Sequence, residues 1–322
     1  MRTFLKTAAA LGITALCTFG LAATGHAEQR IAYKSAKTGT SYYQMGVELA
    51  NAIKTGSKGG TILTVEESQG SVQNVMEAAV RSGNYVFTSP PGLVESAMAG
   101  TGPFKNRPKE SFASIRALFP IPSLTMHFVM RGDQQVDQFS DMAGKTILLG
   151  KGSFGATEGE KYIKLFGLDG KVKIASAELG NAADALKNGQ IDGFVTAGSF
   201  PAPNLVEAAA SMPVSLVSLS DEQIAQTGRL KQIIPAGTYA GVNKDVATTF
   251  LPVEAFTTTA MDDQTAYLLT KTFWEQKAAL SDRAPWWKAV TPDMLMMTKV
   301  KLHPGAVRYY QEAGIQIPEG MR

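Results

Sequence analysis

Short runs of apolar and β-branched residues alternate along the chain with longer stretches of helical spacing. After the first run, Met45, Leu49 and Ile53 fall on one helical face. Strands are predicted at residues 30–34, 61–66, 85–87, 145–149, 172–175, 193–196 and 214–219. Because predicted strands and helices alternate, the pattern indicates an α/β fold with a largely parallel sheet.

Polar residues mark the start of several predicted helices. Ser71 is predicted as the N-cap of the helix that follows the second strand. Asp262 is predicted to cap a long helix that ends near Leu280. A further helix is predicted from about Thr157 to Phe166, after a glycine-containing loop.

Two segments interrupt the alternation and divide the chain. Pro120 and Pro122 separate two extended runs within residues 114–131, which suits a crossover between domains. Residues 234–239 predict a second crossing. A chain that crosses twice forms a two-stranded hinge, about which two domains can close. We therefore expect a discontinuous domain I of residues 28–122 and 236–322, and a domain II of residues 123–235.

The first 27 residues predict a secretory signal peptide. Arg2 and Lys6 precede an uncharged stretch, and small residues surround His26. A transmembrane anchor is the alternative, but an anchor needs about 20 strongly apolar residues. Lipid attachment at Cys17 is a weaker alternative, because the preceding residue, Leu16, is not small. We expect cleavage after Ala27 and a soluble protein outside the inner membrane.

The composition is that of a globular protein, with 44% hydrophobic and 18% charged residues. Cleavage would remove two basic residues from 31 Lys and Arg against 28 Asp and Glu, leaving a net charge of +1. A nearly neutral chain has no general attraction for nucleic acid. The only cysteine, Cys17, would leave with the leader, and His127 and His303 lack a zinc-ligand spacing. We expect neither a metal nor a cofactor.

Candidate chemistry lies in five loops that join a strand to a helix. They are residues 37–42, 67–71, 88–92, 150–157 and 196–204. Ligands of parallel sheets bind at the carboxyl ends of the strands, where helix N-termini offer free N–H groups. The Gly, Ser and Thr residues of these loops suit a small anion such as a carboxylate. The same residues are also ordinary in turns and caps.

One of these loops matches a dinucleotide-binding pattern. Residues 150–155 read G-x-G-x-x-G, and Glu178 follows 23 residues after Gly155. The same geometry can hold a smaller anion, and export disfavours a recycled redox cofactor. The chain contains no G-x-S-x-G motif and no convincing pair of nucleophile and base. We therefore expect that the protein is not an enzyme.

Several motifs together resemble the TAXI family of solute receptors for TRAP transporters, over nearly the whole chain after the leader. They lie at residues 38–43, 70–74, 144–146, 186–192, 234–239, 302–306 and 309–310. The resemblance implies a periplasmic binding protein with a type II-like two-domain α/β fold, a hinge and a ligand cleft between the domains. It also implies a fused membrane permease as partner, and a small carboxylate or an acidic amino acid such as glutamate as ligand. We expect a monomer. The pair Trp286-Trp287 fits either surface packing or a transporter contact.

We expect ligand capture by domain closure. One wall is predicted to present Thr40, Ser41, Tyr42, Ser71 and Asn74, and the other Ser153, Thr157 and Ser199. Ser89, His127 and Phe154 are further predicted contacts, and Tyr239 is predicted at the hinge. The family commonly has Gly-Ser-Gly-Thr where this chain has residues 152–157, so Phe154 is expected to narrow the pocket or stack on a planar ligand. The alternatives are a receptor domain for a signalling partner and an exported enzyme.

Overall fold

The computed structural model describes residues 28–322 apart from Ser82, Gln135 and Gly152, so the predicted signal peptide lies outside the described residues. The strands are β1 Gln29–Lys34, β2 Thr61–Glu66, β3 Tyr85–Ser89, β4 Ile115–Arg131, β5 Thr146–Leu148, β6 Lys173–Ala175, β7 Gly193–Gly198, β8 Val214–Leu216, β9 Leu230–Ile234 and β10 Val246–Thr258. The helices are α1 Ser41–Gly56, α2 Ser71–Ala78, α3 Pro91–Ala99, α4 Phe154–Leu165, α5 Ala182–Lys187, α6 Pro203–Ser211, α7 Asp221–Thr227, α8 Asp263–Glu275, α9 Lys277–Arg283, α10 Pro285–Lys288 and α11 Pro304–Glu312. No helix in this part of the chain is both long and apolar enough to cross a membrane.

The strands form one strongly mixed sheet with the order β2-β1-β3-β10-β4-β7-β5-β6, while β8 pairs with β4 and β9 with β10. The β2-β1-β3 and β6-β5-β7 units are parallel. The two long strands between them, β4 and β10, run antiparallel to each other and to their neighbours. The predicted α/β fold is confirmed. The prediction of a largely parallel sheet was wrong, because the two long strands pair antiparallel with all their neighbours and join two parallel units.

We call the two parallel units, each with its packed helices, the two halves of the molecule. Each long strand belongs to both halves. β4 pairs with β10 from Ile115 to Thr125 and with β7 from Thr125 to Met130. The sequence predicted two runs broken by prolines, whereas β4 is continuous for 17 residues. Pro120 and Pro122 are tolerated because extended backbone accommodates their fixed φ and the ladder is irregular where β4 changes partner.

The second long strand, β10, was missed in the sequence. It pairs with β9 over Val246–Phe250 and with β4 over Phe250–Thr258. Before it, the chain turns back after Ile234, and the N–H of Gly237 donates to the carbonyl of Val242 at 2.8 Å. The predicted crossing at residues 234–239 therefore precedes the strand that runs between the two halves. The predicted domain boundaries themselves stay a prediction.

The helix boundaries differ from the sequence predictions in three places. Ser71 is the first residue of α2, and Gly70 is the N-cap because its φ of 105° suits only glycine. The helix predicted from Thr157 begins three residues earlier, with Ser153 as its N-cap. Asp262 does cap α8 by accepting from the N–H of Thr265 at 2.9 Å. The long helix ends there at Glu275, because Gln276 departs from helical geometry and α9 begins after it.

The apolar interior contains two groups of buried side chains. The larger group includes Tyr33, Phe87, Phe119 and Trp287 and extends over both long strands. The smaller group joins β5, β7, α5 and α6 to the turn before β10. The tryptophan pair is packed inside rather than exposed, and the indole N–H groups of Trp286 and Trp287 donate to one carboxylate oxygen of Glu48 at 3.1 and 2.7 Å.

Candidate ligand-binding cleft

A cleft of about 800 Å³, including its open mouth, lies where the two parallel units face each other. Its lining comes mainly from loops at the carboxyl ends of parallel strands, including those after β1, β2 and β5. Leu124 of β4 and Val253 of β10 form its floor between the halves. This is the position at which α/β sheets bind ligands.

Helix N-termini converge on this cleft from both sides. Thr40 caps α1 by accepting from the N–H of Tyr43 at 3.4 Å, and Ser153 caps α4 by accepting from the N–H of Ala156 at 3.0 Å. The α2 N-terminus has no side-chain cap. A Cβ added to Gly70 would lie 3.9 Å from the backbone nitrogen of Phe154, so α2 and α4 begin close to each other across the cleft. The unpaired N–H groups and partial positive charge favour an anion between them.

Three charged side chains line the cleft. Lys37 and Lys151 are cationic, and Glu178 is the only acid among the described lining residues. Lys37 forms an ion pair with Glu178, which joins the loop after β1 to the loop after β6. The three side chains together carry one net positive charge, which adds to the helix N-termini in favouring an anionic ligand.

The remaining walls are apolar. Tyr42, Phe154 and Leu179 are buried and line the cleft together with Leu124 and Val253. The hydroxyl of Tyr42 donates to the carbonyl of Pro122 at 2.7 Å, and burial raises its pKa well above the ordinary value, so it remains a neutral donor. The cleft therefore combines donors for an anion with an apolar surface for the rest of a ligand.

Five of the residues predicted from the sequence line this cleft. They are Thr40, Tyr42, Ser71, Ser153 and Phe154. Thr157 lies on the exposed side of α4. Ser41 is buried against β7, where a Cβ on Gly198 would lie 2.5 Å from its Oγ. The structure brings these residues to one region without placing Ser41 or Thr157 on the lining.

The other predicted residues hold backbone together behind the lining. Ser89 Oγ donates to the carbonyl of Pro90 at 3.1 Å, and Ser199 Oγ donates to the carbonyl of Ser123 at 2.6 Å. Asn74 is fully buried, and its Nδ2 donates to carbonyls at the ends of β1 and β3. These contacts position the loops, while Asn74 Oδ1 is buried and has no hydrogen-bond partner among the described residues.

His127, within β4, and Tyr239 form a buried pair. The Tyr239 hydroxyl accepts from the N–H of Ala202 at 2.8 Å and lies 2.9 Å from His127 Nε2. His127 Nδ1 faces the carbonyl of Thr125 at 3.1 Å. Burial lowers the pKa of His127 to about 4, so the ring is neutral with its proton on Nδ1. The pair supports the loop before α6 and does not line the cleft.

Eight polar residues of the described lining were not among the predicted contacts, namely Ser35, Lys37, Thr38, Gln69, Thr88, Lys151, Glu178 and Asn204. Lys37 opens a loop that was singled out, Glu178 was noted for the dinucleotide pattern, and Asn204 ends another candidate loop. The signal was therefore present, but hydroxyl residues were preferred over charged and amide side chains. No group of three or more His, Cys, Asp or Glu residues in the described part of the chain could hold a metal ion.

Solved structures align with this chain over most of its length. MatC from Rhodopseudomonas palustris with bound malate aligns with a TM-score of 0.56 at 13% identity, covering 88% of this chain and 97% of that chain. A TRAP periplasmic solute binding protein from Actinobacillus succinogenes, with bound L-galactonate, aligns with a TM-score of 0.44 at 14% identity, covering 90% and 87% of the two chains. Another from Ochrobacterium anthropi, with bound L-fuconate, gives 0.44 at 12% identity, with 92% and 97% covered.

The fold is that of the two-domain α/β solute-binding proteins. Over residues 34–314 the sequence matches the NMT1-like family. Because this match spans most of the chain, the protein belongs to the NMT1-like family.

Proposed function

We propose that the protein is a periplasmic solute-binding protein of a TRAP-type transporter, of the TAXI kind, that captures a small carboxylate or acidic amino acid. The convergence of the α1, α2 and α4 N-termini with Lys37 and Lys151 on one cleft carries the proposal. The bound acids of the similar structures, malate, L-galactonate and L-fuconate, agree with this ligand class.

The ligand would bind between the two halves and be enclosed when they close. Its carboxylate would accept from the N–H groups of the α2 and α4 first turns, with Ser71 and Ser153 beside them. We propose that the Lys37–Glu178 ion pair and the contact of Ser41 with β7 help to join the halves on closure. The closed protein would then dock on a fused membrane permease as a monomer.

Thermal unfolding against a panel of small acids tests the ligand class. After unfolding and refolding to remove bound ligand, an acid at 100 times its dissociation constant should stabilise the protein by about 2.7 kcal/mol. Lys151→Gln should weaken that acid at least about tenfold, because it removes a charge from the cleft. The control Lys161→Gln removes an exposed charge from α4 outside the cleft. Equal affinities in the two variants would contradict the assigned site.

Uptake tests the transport role. Membrane vesicles that contain the cognate permease should accumulate the identified acid only when the protein is added and an ion gradient is present. Uptake that needs ATP, or that proceeds equally without the protein, would contradict a TRAP-type receptor.

A further inference from the structure

The cleft contains one buried polar group that has no partner. Asn204, near the start of α6, lines the cleft and is 9% exposed. Its Oδ1 accepts from the N–H of Leu205 at 3.0 Å, which fixes the orientation of the side-chain amide. Its Nδ2 is buried and has no hydrogen-bond partner among the described residues. Since buried amide groups are normally paired, this N–H₂ group is a donor available to a ligand.

Among its described lining residues, the cleft offers a cation no free carboxylate. Glu178 is the only acid among the described lining residues, and it is already paired with Lys37. An ammonium group in the cleft would have to displace Lys37 from Glu178 or remain without an anionic partner. Either outcome costs binding energy, because a buried charge needs a charged or strongly polar partner.

These two observations together narrow the ligand class of the proposed function, on which the inference rests. We infer that the cleft selects carboxylates that carry a neutral oxygen acceptor, a hydroxyl or a carbonyl, and that it discriminates against amino acids. Asn204 Nδ2 donates to that oxygen. Lys37, Lys151 and the helix N-termini hold the carboxylate, and Tyr42, Phe154 and Leu124 contact the carbon skeleton.

Matched pairs of acids that differ only in a hydroxyl or an ammonium group test the inference. Calorimetry on the refolded protein would compare malate with aspartate, 2-hydroxyglutarate with glutamate, and 3-phenyllactate with phenylalanine. In any pair that binds, the hydroxy acid should bind at least about tenfold more tightly, the effect of one unpaired buried donor. Amino acids that bind equally or more tightly would overturn this inference and leave the proposed function standing. Binding by neither member of any pair would overturn both.

Asn204→Asp tests the residue itself. The aspartate keeps the acceptor for the Leu205 N–H and suits a helix N-terminus, but it has no N–H₂ donor. The hydroxy acid should lose at least about tenfold in affinity, and its advantage over the amino acid should shrink or reverse. A preference unchanged in Asn204→Asp would overturn the assignment to this side chain.

Glu178→Gln tests the same inference even if the Asn204 variant does not fold. The glutamine keeps an oxygen that can accept from Lys37, but it removes the negative charge from the cleft, so hydroxy acids should bind more tightly than to the wild type. If Glu178 instead holds a ligand ammonium group, the variant should lose amino-acid binding. That loss would overturn the inference.

Discussion

Asn74 shows how a single buried side chain can position the loops of the cleft. Its Nδ2 donates to the carbonyl of Ser35 at 2.8 Å and to that of Thr88 at 2.9 Å, and so joins the ends of β1 and β3. Both strand ends lead into lining residues. An asparagine in a loop-facing helix turn was predicted to contact ligand. The sequence does not reveal which neighbouring strands supply carbonyl groups to it.

Replacing Asn74 by alanine should therefore destabilise the fold. Two buried carbonyls would each lose one donor, although that of Ser35 keeps the Ser68 hydroxyl, and the loss costs about 1–3 kcal/mol. Denaturant unfolding measures this change. The control Asn51→Ala, on the exposed side of α1, should change the free energy of unfolding by less than about 0.5 kcal/mol. A stable Asn74→Ala protein with weakened ligand affinity would instead support direct ligand contact.

Glu254 is a buried acid on β10 whose protonation should affect stability. Its Oε2 accepts from the Thr298 hydroxyl at 2.7 Å, and its Oε1 has no partner in the described part of the chain. Burial raises its pKa from 4.5 to about 8, against a smaller opposite effect of the Thr298 hydrogen bond. Between these two pH values the folded protein keeps a proton that the unfolded chain releases. Stability should therefore fall as the pH rises through this range.

Glu254→Gln should remove this loss. The glutamine keeps an acceptor for Thr298 and does not ionise, so at pH 8 the variant should be more stable than the wild type by at least about 1 kcal/mol. Urea unfolding at a series of pH values between about 5 and 9 measures this difference in stability, because that range covers most of the change in protonation. The exposed Glu160→Gln on α4 is the control. Parallel pH profiles for wild type and Glu254→Gln would show that Glu254 is ionised in the folded state.

At the scale of elements, the parallel strands and their helices were predictable because their apolar runs are short, regular and bounded by Gly, Ser and Thr. The two long strands were not. Pro120 and Pro122 in β4, and Pro252 in β10, are typical of strand ends, and Glu254 interrupts the apolar run. Their continuity depends on pairing with different strands at their two ends, and a single segment of sequence carries no record of its partners.

The α4 N-terminus allows capping and ligand binding to be separated. Ser153 Oγ accepts from the Ala156 N–H, so Ser153→Ala should cost about 1 kcal/mol of stability. Ser153→Asp keeps an N-cap acceptor and suits the helix dipole, so it should fold as stably as the wild type. Its negative charge in the cleft should still weaken a carboxylate ligand at least about tenfold. Carboxylate binding of wild-type strength by Ser153→Asp would place the ligand away from α4.

At the scale of the whole molecule, the sequence predicted two halves and a double crossing, but the place of the second boundary remains a prediction. Tyr239, Val242 and Val246 pack with the smaller buried group. This packing favours a second boundary within β10, where its pairing passes from β9 to β4 near Phe250, rather than at residue 236. The hinge would then consist of the middle parts of β4 and β10, which also form the floor of the cleft.

Closure of the two halves should depend on the absence of a side chain at Gly198. An alanine Cβ there would lie 2.5 Å from the Oγ of Ser41, which is buried at the start of α1. Gly198→Ala should therefore hold the halves apart, weaken ligand at least about tenfold and reduce the ligand-induced decrease in radius of gyration measured by small-angle X-ray scattering. Gly92→Ala is the control, because its Cβ would have no neighbour within 4 Å.

The double variant Gly198→Ala with Ser41→Ala distinguishes closure from general damage. Without the Ser41 Oγ, the nearest atom to the new Cβ is the Ser41 Cβ at 3.7 Å, an ordinary van der Waals contact. The ligand affinity and the ligand-induced decrease in radius of gyration should then both return toward their wild-type values, although two residues are changed. If affinity returns without compaction, or if Gly198→Ala alone closes normally, α1 and β7 do not meet during ligand capture. The contact between Ser41 and Gly198 would then be a permanent part of the core rather than a closing surface.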